Sequence, residues 1–370
     1  MTASEQWVLQ FCHSYDGPFL DCARQYAALF VGTPYKVCTV YLTGAPNDEV
    51  VQGSASDEVI FLDYSSRDVR GLKLRAIRDI RRVSRTRSFA FCIAHRFKPI
   101  YVALLGTKLP VVGVHHAFGD YQRRSRQLFA NHYRKRLALL GVSNAVRDDL
   151  RGCLPNWPAE RVQTLYNRID ITAVQAEQVS REEARAFLRL PQDAWIVGNV
   201  GRLHPDKDQA TLIRGFAQAL PQLPSGSLLA IMGSGKLEDS LKALAAELGV
   251  AESVRFLGQV QRGRCYFKAF DLFALTSDHE PFGMVLLEAM AAGVPAICSD
   301  CGGGREVVAS HQMLFPLADS AALYSLLVRQ SSLAEVDRCT LISSQSVRLE
   351  QEFSDAVAAQ KFWYFYRRIE

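Results

Sequence analysis

Four charged side chains in the second half of the chain have the spacing of a site for an anion flanked by hydroxyl groups. Arg202 and Lys207 stand in GRLHPDKDQATLI, directly after the apolar run WIVGNV. Two cations between a strand end and a helix start, where unpaired N–H groups point outward, can form an anion site. Taken alone, they fit surface charges beside a helix better. Glu280 and Glu288 stand eight positions apart in DHEPFGMVLLEAMAAGVP. Glu288 lies on an otherwise apolar helix, where a carboxylate without a partner is costly. Either the helix turns it to solvent or something polar binds against it. Phe282, Gly283, Met284 and Val285 open that helix, and Gly293 and Pro295 end it. Their amides offer donors to an anion, and the two carboxylates offer acceptors to hydroxyls. A nucleotide sugar, with phosphates in the middle and hydroxyls on both sides, suits that set.

Other patterns are weaker. IMGSGKLEDSL lacks a nucleotide-binding P-loop's first glycine and its hydroxyl, since Ala230 and Leu237 occupy those positions. What remains is a tight turn at Gly233 and Gly235 that lets backbone approach a ligand. Asp206-Lys207-Asp208 matches an Asp-x-Asp metal signature, but the central lysine and the helix entry argue against a metal. Cys298-Ser-Asp-Cys301 has no second ligand pair in view. No metal and no cofactor are expected. His115 and His116 close the strand-like run LPVVGVHH, where a neutral histidine satisfied by backbone is the plain alternative to a functional one.

These residues need elements to hold them. WVLQFC, YKVCTVYL, EVIFL, FAFCIAH, LPVVGVHH and LALLGVS read as strands alternating with helical patterns. WIVGNVG, SLLAIMG, SVRFLG, DLFALTS and VPAIC repeat the scheme after a turn-rich segment, LPNWPAERVQTLYNRIDI, read as a linker. Apolar strands alternating with helices imply parallel sheets covered on both faces. The expected fold is α/β, with two doubly wound Rossmann-like domains facing across a cleft. The first spans 1–168, with a C-terminal helix over 352–370 packing back on it, and the second spans 169–351. Ligands of such sheets bind beyond the carboxyl ends of the strands.

The family resemblance is carried by several motifs in order. Glu280 to Glu288 resembles the E-x7-E motif of the retaining family-four glycosyltransferases, which have the GT-B fold. Gly201-Arg202 to Lys207 resembles their G-R-x4-K element, Val254 to Gly258 their V-x-F-L-G strand, and Gly302 to Glu306 their G-G-x-x-E loop. Asn167 to Asp170 resembles their N-G-I-D, with Arg168 where glycine is common. The resemblance covers most of residues 137–310. It implies that Arg202, Lys207 and the amides around Gly283 to Val285 hold the donor diphosphate. Glu288 would take the ribose, Glu280 the transferred sugar, and the stretch around Arg255 and Val260 the base, with UDP favoured. It implies His116 beside the reacting sugar and Asp16 and Gly17 near acceptor or phosphate, with retention of configuration and domain closure over the substrates.

Composition narrows the setting. Hydrophobic residues make up 48% and charged residues 22%, ordinary for a globular protein. No run of about 18 apolar residues occurs, so no membrane-spanning helix is expected. The opening MTASEQWVLQFCHSYDG reads as a first strand rather than a signal peptide. Nine cysteines without regular spacing fit a reducing compartment, so the cytoplasm is expected. Residues 1–170 carry 24 Lys and Arg against 15 Asp and Glu, and the remainder 19 against 23. The excess peaks in the segment 67–87, where Val69, Leu72, Ala76, Ile80 and Val83 recur at helical spacing among nine cations. A basic amphipathic helix fits an anionic inner-leaflet surface, and equally a core-facing stripe with a solvated basic face. No nucleic-acid motif accompanies it, and nucleic acid is not an expected partner.

The expected activity is transfer of a hexose or N-acetylhexosamine from a nucleoside-diphosphate sugar to a hydroxyl of a lipid-linked or lipopolysaccharide-core acceptor. The resemblance is greatest to bacterial lipopolysaccharide-core transferases. The alternatives are a nucleotide-sugar epimerase of the same plan and a non-catalytic protein that binds nucleotide sugar or a membrane surface.

Overall fold

The computed structural model describes residues 5–370; residues 1–4, the head of the stretch read as a first strand, lie outside the described residues. The chain divides into two compact units. One runs to Arg168 and takes up Asp355–Glu370, and the other is Ile169–Ser354. Both are α/β with a parallel sheet.

The sheet of the first unit holds β1 (Gln6–Cys12), β2 (Tyr35–Thr43), β3 (Glu58–Tyr64), β4 (Phe89–His95), β5 (Val111–His115), β6 (Leu137–Gly141) and β7 (Val162–Thr164), in the order β3-β2-β1-β4-β5-β6-β7. Its middle strands are buried almost throughout, as strands covered by helices on both faces must be. Strand β7 corrects the linker reading. Three residues of the turn-rich segment, Val162 to Thr164, pair with β6 and extend the sheet. So short a strand has too little pattern to be seen in the sequence.

The segment 67–87 is also corrected. The helix is only Leu74–Val83, because Gly71 (φ +57) and Lys73 (φ +56) take left-handed backbone that a helix cannot continue through. Ala76 and Ile80 face inward, while Leu72 and Leu74 are 67% and 69% exposed. The stripe is therefore broken: Val69, Ala76 and Ile80 are buried, while Leu72 between them is exposed in the turn.

The last helix, Asp355–Ile369, closes the first unit. Phe362, Phe365 and Tyr366 are buried. Tyr366 lies 4.2 Å from Phe91 and Trp363 stacks on Tyr35 at 5.4 Å between ring centroids. Arg168, fully buried, anchors its start. Its Nε donates to Asp355 Oδ1 at 2.5 Å, its backbone amide to Gln25 Oε1 at 2.9 Å, and its Nη2 to the Gln25 carbonyl. Arg24 joins the same carboxylate at 3.1 Å. That network gives Arg168 a structural role at the junction of the two segments of the first unit.

The second unit holds β8 (Ile196–Val200), β9 (Leu228–Met232), β10 (Val254–Gly258), β11 (Leu272–Leu275), β12 (Ala296–Ser299) and β13 (Leu314–Phe315), ordered β10-β9-β8-β11-β12-β13. A capping box opens its first long helix pattern, with Ser180 and Glu183 each satisfying the other's amide. A buried Asp271 ties this entrance to the sheet. It accepts from Arg185 at 2.9 Å, from Arg181 at 2.7 Å and from the Ile196 amide at 2.7 Å. Among the described residues, no helix is long and apolar enough to cross a membrane.

Candidate functional site

In the second unit the strand order reverses at β8. The chain moves outward to β9 and β10, then returns to the other side of β8 as β11. Ligands of open parallel sheets bind beyond the strand ends at such a point. Arg202 and Lys207 follow β8, and Glu280 follows β11, so both charged groups read from the sequence reach it.

They meet there. Lys207 Nζ donates to Glu280 Oε2 at 2.7 Å, and Ser277 Oγ donates to the same oxygen at 3.3 Å. The Phe282 amide approaches Oε1 at 3.4 Å, and the Gly303 amide donates to the Glu280 carbonyl at 2.8 Å. Two further bonds join the loops: Thr276 Oγ1 to the Lys207 carbonyl at 2.9 Å, and the Asp278 amide to the Asp206 carbonyl at 3.1 Å. The Lys207 and Glu280 side chains keep only 19% and 11% exposure. A partly buried, hydrogen-bonded pair of this kind is held in one geometry.

Arg202 does not join that pair. It is 72% exposed and reaches Asp206 at 3.5 Å. Asp206 also bonds His204 Nδ1. Burial pushes the Asp206 carboxyl up, but the His204 bond and the Lys207 and Arg202 charges outweigh it and hold the group below its ordinary range. Asp208 is occupied elsewhere, capping the helix Gln209–Ala219 through the Thr211 amide at 3.2 Å. The Asp-Lys-Asp run is thus split between an ion pair and a helix cap.

The helix that raises the question of Glu288 is Met284–Ala291, headed by Gly283 at φ +98. Leu286, Leu287, Ala289, Met290 and Ala291 are buried. Met284, Val285 and Glu288 are half-buried, and their i, i+3 and i+4 spacing puts them on one face. The first-turn amides, which have no intrahelical acceptor, belong to two of these residues. Glu288 therefore shares a stripe with the donor end of its helix.

Gly233 follows β9 at φ +145, and a Cβ there would lie 1.9 Å from the Gly201 carbonyl oxygen. The absent side chain makes room for backbone of the neighbouring loop. Arg255 and Val260 belong to the edge strand β10 and the loop after it, two strands from β8. Cys298 and Cys301 are buried thiols pushed up by burial, and Cys301 Sγ donates to the Ser277 carbonyl at 2.9 Å. Among the described residues no cluster of three metal-ligating side chains forms.

In the first unit the order reverses at β1, between β2 and β4. Gly17 lies in the exposed turn after β1, and Asp16 accepts the Phe19 amide through its carbonyl at 3.3 Å. His115 is fully buried and bonds Asp120 Oδ2 at 2.7 Å, with Arg126 on the other oxygen at 3.2 Å. His116 is half-buried and stacks on His95, with ring centroids 5.3 Å apart, His95 Nδ1 to His116 Nε2 at 3.0 Å and Cys22 Sγ 3.8 Å from His116 Nδ1. Burial holds His95 down at about 3. Burial and then the neighbouring imidazoles and Arg96 hold His116 well below its ordinary value. His116 is a neutral, positioned imidazole whose ring nitrogens both have protein partners. His95 was not read from the sequence, although its place at the end of FAFCIAH, the same strand-end position as His115, is a signal of the same kind.

Residues 180–327 match the family described as glycosyl transferases group 1. That segment is similar to the glycosyltransferases of this family. Among curated relatives, an uncharacterized glycosyltransferase of Methanocaldococcus jannaschii is 33% identical over 46% of this chain and 44% of its own length. The lipopolysaccharide core biosynthesis glycosyltransferase LpsE of Rhizobium meliloti is 40% identical over 32% of this chain and 34% of its own. A D-inositol 3-phosphate glycosyltransferase of Rhodococcus opacus is 32% identical over 51% and 45%. The matches thus span less than half the length of these relatives. Solved structures share the fold over nearly the whole chain. A glycosyltransferase from Rickettsia africae superposes with TM-score 0.84 at 14% identity, covering 99% of each chain. Anabaena HepE in complex with UDP and glucose does so with TM-score 0.76 at 20% identity, covering 99% of this chain and 100% of that one. Of the motifs that carried the resemblance, those from Gly201-Arg202 to Glu306 fall inside the matched segment and Asn167 to Asp170 lies before it.

Proposed function

We propose that the protein transfers a hexose or N-acetylhexosamine from a UDP-sugar to a hydroxyl of a membrane-associated acceptor, with retention of configuration and without a metal. The observation that carries this reading is the Lys207–Glu280 pair at the strand-order reversal of the glycosyltransferase domain, beside the first-turn amides of the helix 284–291. In the reaction the bond from the anomeric carbon to the diphosphate oxygen breaks, and its electron pair stays on the diphosphate. The acceptor oxygen bonds that carbon and gives its proton to the departing diphosphate oxygen. Fixed cations and oriented amides stabilise the charge developing on the leaving group, and in a site closed to water such contributions are large. Lys207, Arg202 and the amides at 283–285 serve that role. Glu280 takes hydroxyls of the transferred sugar, Glu288 those of the ribose, and Arg255 and Val260 flank the base. His116 belongs to the acceptor side of the reaction. The setting is assembly of lipopolysaccharide core or another surface glycolipid at the cytoplasmic membrane face, a reading that LpsE supports by its name and the basic first unit by its charge.

Calorimetric titration with UDP, GDP and ADP in chelator tests the donor site. Binding of one nucleotide, weakened in Lys207→Ala, supports the reading; binding of none sinks it. Incubation of the UDP-sugar with a lipid-linked acceptor then separates the activities. Sugar transfer supports the transferase, conversion of donor alone an epimerase, and binding without turnover a non-catalytic protein.

A further inference from the structure

A second charged cup lies wholly in the first unit. It is formed by the turn Val69–Lys73, the start of the helix Phe97–Gly106 and the start of the helix Arg124–His132, and encloses about 410 Å³. Arg70, Lys73, Lys98, Arg123 and Arg126 line it. Of these only Arg126 has a carboxylate partner among the described residues, Asp120. The floor is aromatic. Phe97, Tyr101 and Phe129 lie 4.9 to 6.4 Å apart between centroids. Lys73 Nζ sits 5.0 Å above Tyr101 and Arg126 4.4 Å from Phe97, contacts that fix cations over ring faces.

Lys73 Nζ donates to the Gly71 carbonyl of its own turn at 2.6 Å, but folding gives no comparable reason to gather the other charges. Like charges so close repel, and both Lys73 and Lys98 are held below the ordinary lysine value, by burial first and then by their cationic neighbours. A neighbouring basic hollow shows what structural use looks like. There Arg81 and Arg136 donate to the carbonyls of Leu105, Gly106, Thr107 and Leu109 at the end of the helix 97–106, satisfying groups the helix leaves open. No such acceptor takes the side chains of Arg70, Lys98 or Arg123 among the described residues. Lys73 is also placed at a cost, since its backbone is left-handed, a conformation that strains a residue with a Cβ. Strain, mutual repulsion and an aromatic floor together describe a preformed receptor for a compact polyanion.

We propose that this cup binds a phosphate group, with Lys73, Lys98 and Arg123 as its main donors. Three cations on one phosphate can neutralise a monoester dianion, and guanidinium and ammonium supply enough donors for its three free oxygens. The same chemistry is offered by a phosphorylated soluble sugar and by a phosphomonoester lipid headgroup. Leu72, Leu74 and Leu128, 67 to 70% exposed on the turn and helices that form the cup, would favour the lipid. The inference stands apart from the transfer chemistry, because it concerns residues outside the Lys207–Glu280 site.

The test uses the full chain and the variant Lys98→Ala/Arg123→Ala. Inorganic phosphate is titrated at constant ionic strength, with chloride as control, and the thermal midpoint is read. Sedimentation is run with phosphatidylcholine vesicles with and without phosphatidic acid. Phosphate stabilisation that falls at least tenfold in apparent affinity in the variant supports the site with a soluble source. Phosphatidic-acid binding lost in the variant, without an effect of free phosphate, supports it with a lipid source. No binding of either probe, or binding unchanged in the variant, overturns it. UDP titration of the same variant keeps the two readings separable, since the donor site should be unaffected. A conservative Arg123→Lys, which keeps the charge, should retain most of the binding and guards against a variant that fails only by misfolding.

Discussion

Lys207 and Glu280 depend on each other, and the order of their failures can be forecast. Lys207→Ala removes a charge-assisted bond and leaves a nearly buried carboxylate with only Ser277 and an amide. Unpaired buried charge costs about 3 kcal/mol or more, so the variant should melt earlier as well as lose about ten- to hundredfold in UDP affinity. Glu280→Gln keeps the hydrogen-bonding shape without the charge. It should lose transfer while keeping UDP affinity within a few-fold, which paired calorimetry and turnover assays can read. Gly233→Ala probes geometry rather than chemistry. Its Cβ has no room beside the Gly201 carbonyl, so a loss of about 2 kcal/mol or more is expected in urea unfolding. Lys98→Gln in the cationic cup should go the other way. Relief of repulsion at a half-exposed site is worth about 0.5 kcal/mol, so this variant should unfold at slightly higher urea.

At the scale of elements, the buried Arg168–Asp355 network holds the last helix to the first unit. Arg168→Gly should destabilise the first unit by about 3–5 kcal/mol and speed amide exchange over 355–369. Strand and helix types were largely legible in the sequence, because buried parallel strands read as continuous apolar runs. What was not legible shares a cause. The helix inferred over 67–87 overran its true start because apolar spacing continues through Gly71 to Val69, and only the glycine hinted at the break. Strand β7 was hidden in a linker because three residues carry no period. In the site, Arg202, Lys207 and Glu280 were visible as residue types after strands. The partnership of Lys207 with a residue 73 positions away was not, nor was the stacking of His95 on His116, since each depends on which strands become neighbours. Gly233 was visible as a glycine but not as one whose missing side chain makes way for a carbonyl.

For the whole molecule, acid should act on the first unit through its histidines. His13 is held down at about 4, by burial and then by Lys98 and Arg96, and His95 at about 3 by burial; His116 is lowered too. Each lowered group binds fewer protons folded than unfolded. Its stabilising effect is complete above the unfolded value near 6.5 and is lost as pH falls toward the folded value, with a slope approaching about 1.4 kcal/mol per pH unit for each histidine. Urea midpoints should therefore drop between pH 6.5 and 4, and His95→Asn should flatten that slope. The path of the chain has a further consequence, for synthesis. The second unit is one uninterrupted stretch, whereas the first is completed only by Phe362, Phe365 and Tyr366 near the end of the chain. Domains usually form on the ribosome in order from the N-terminus. Here the earlier-made sheet must wait with Phe91, Phe30 and Tyr35 uncovered until the segment 355–370 has been made, after the whole of the second unit. A chain cut just after Ser354 would present a completed second unit joined to an open aromatic surface, the kind of intermediate that chaperones hold.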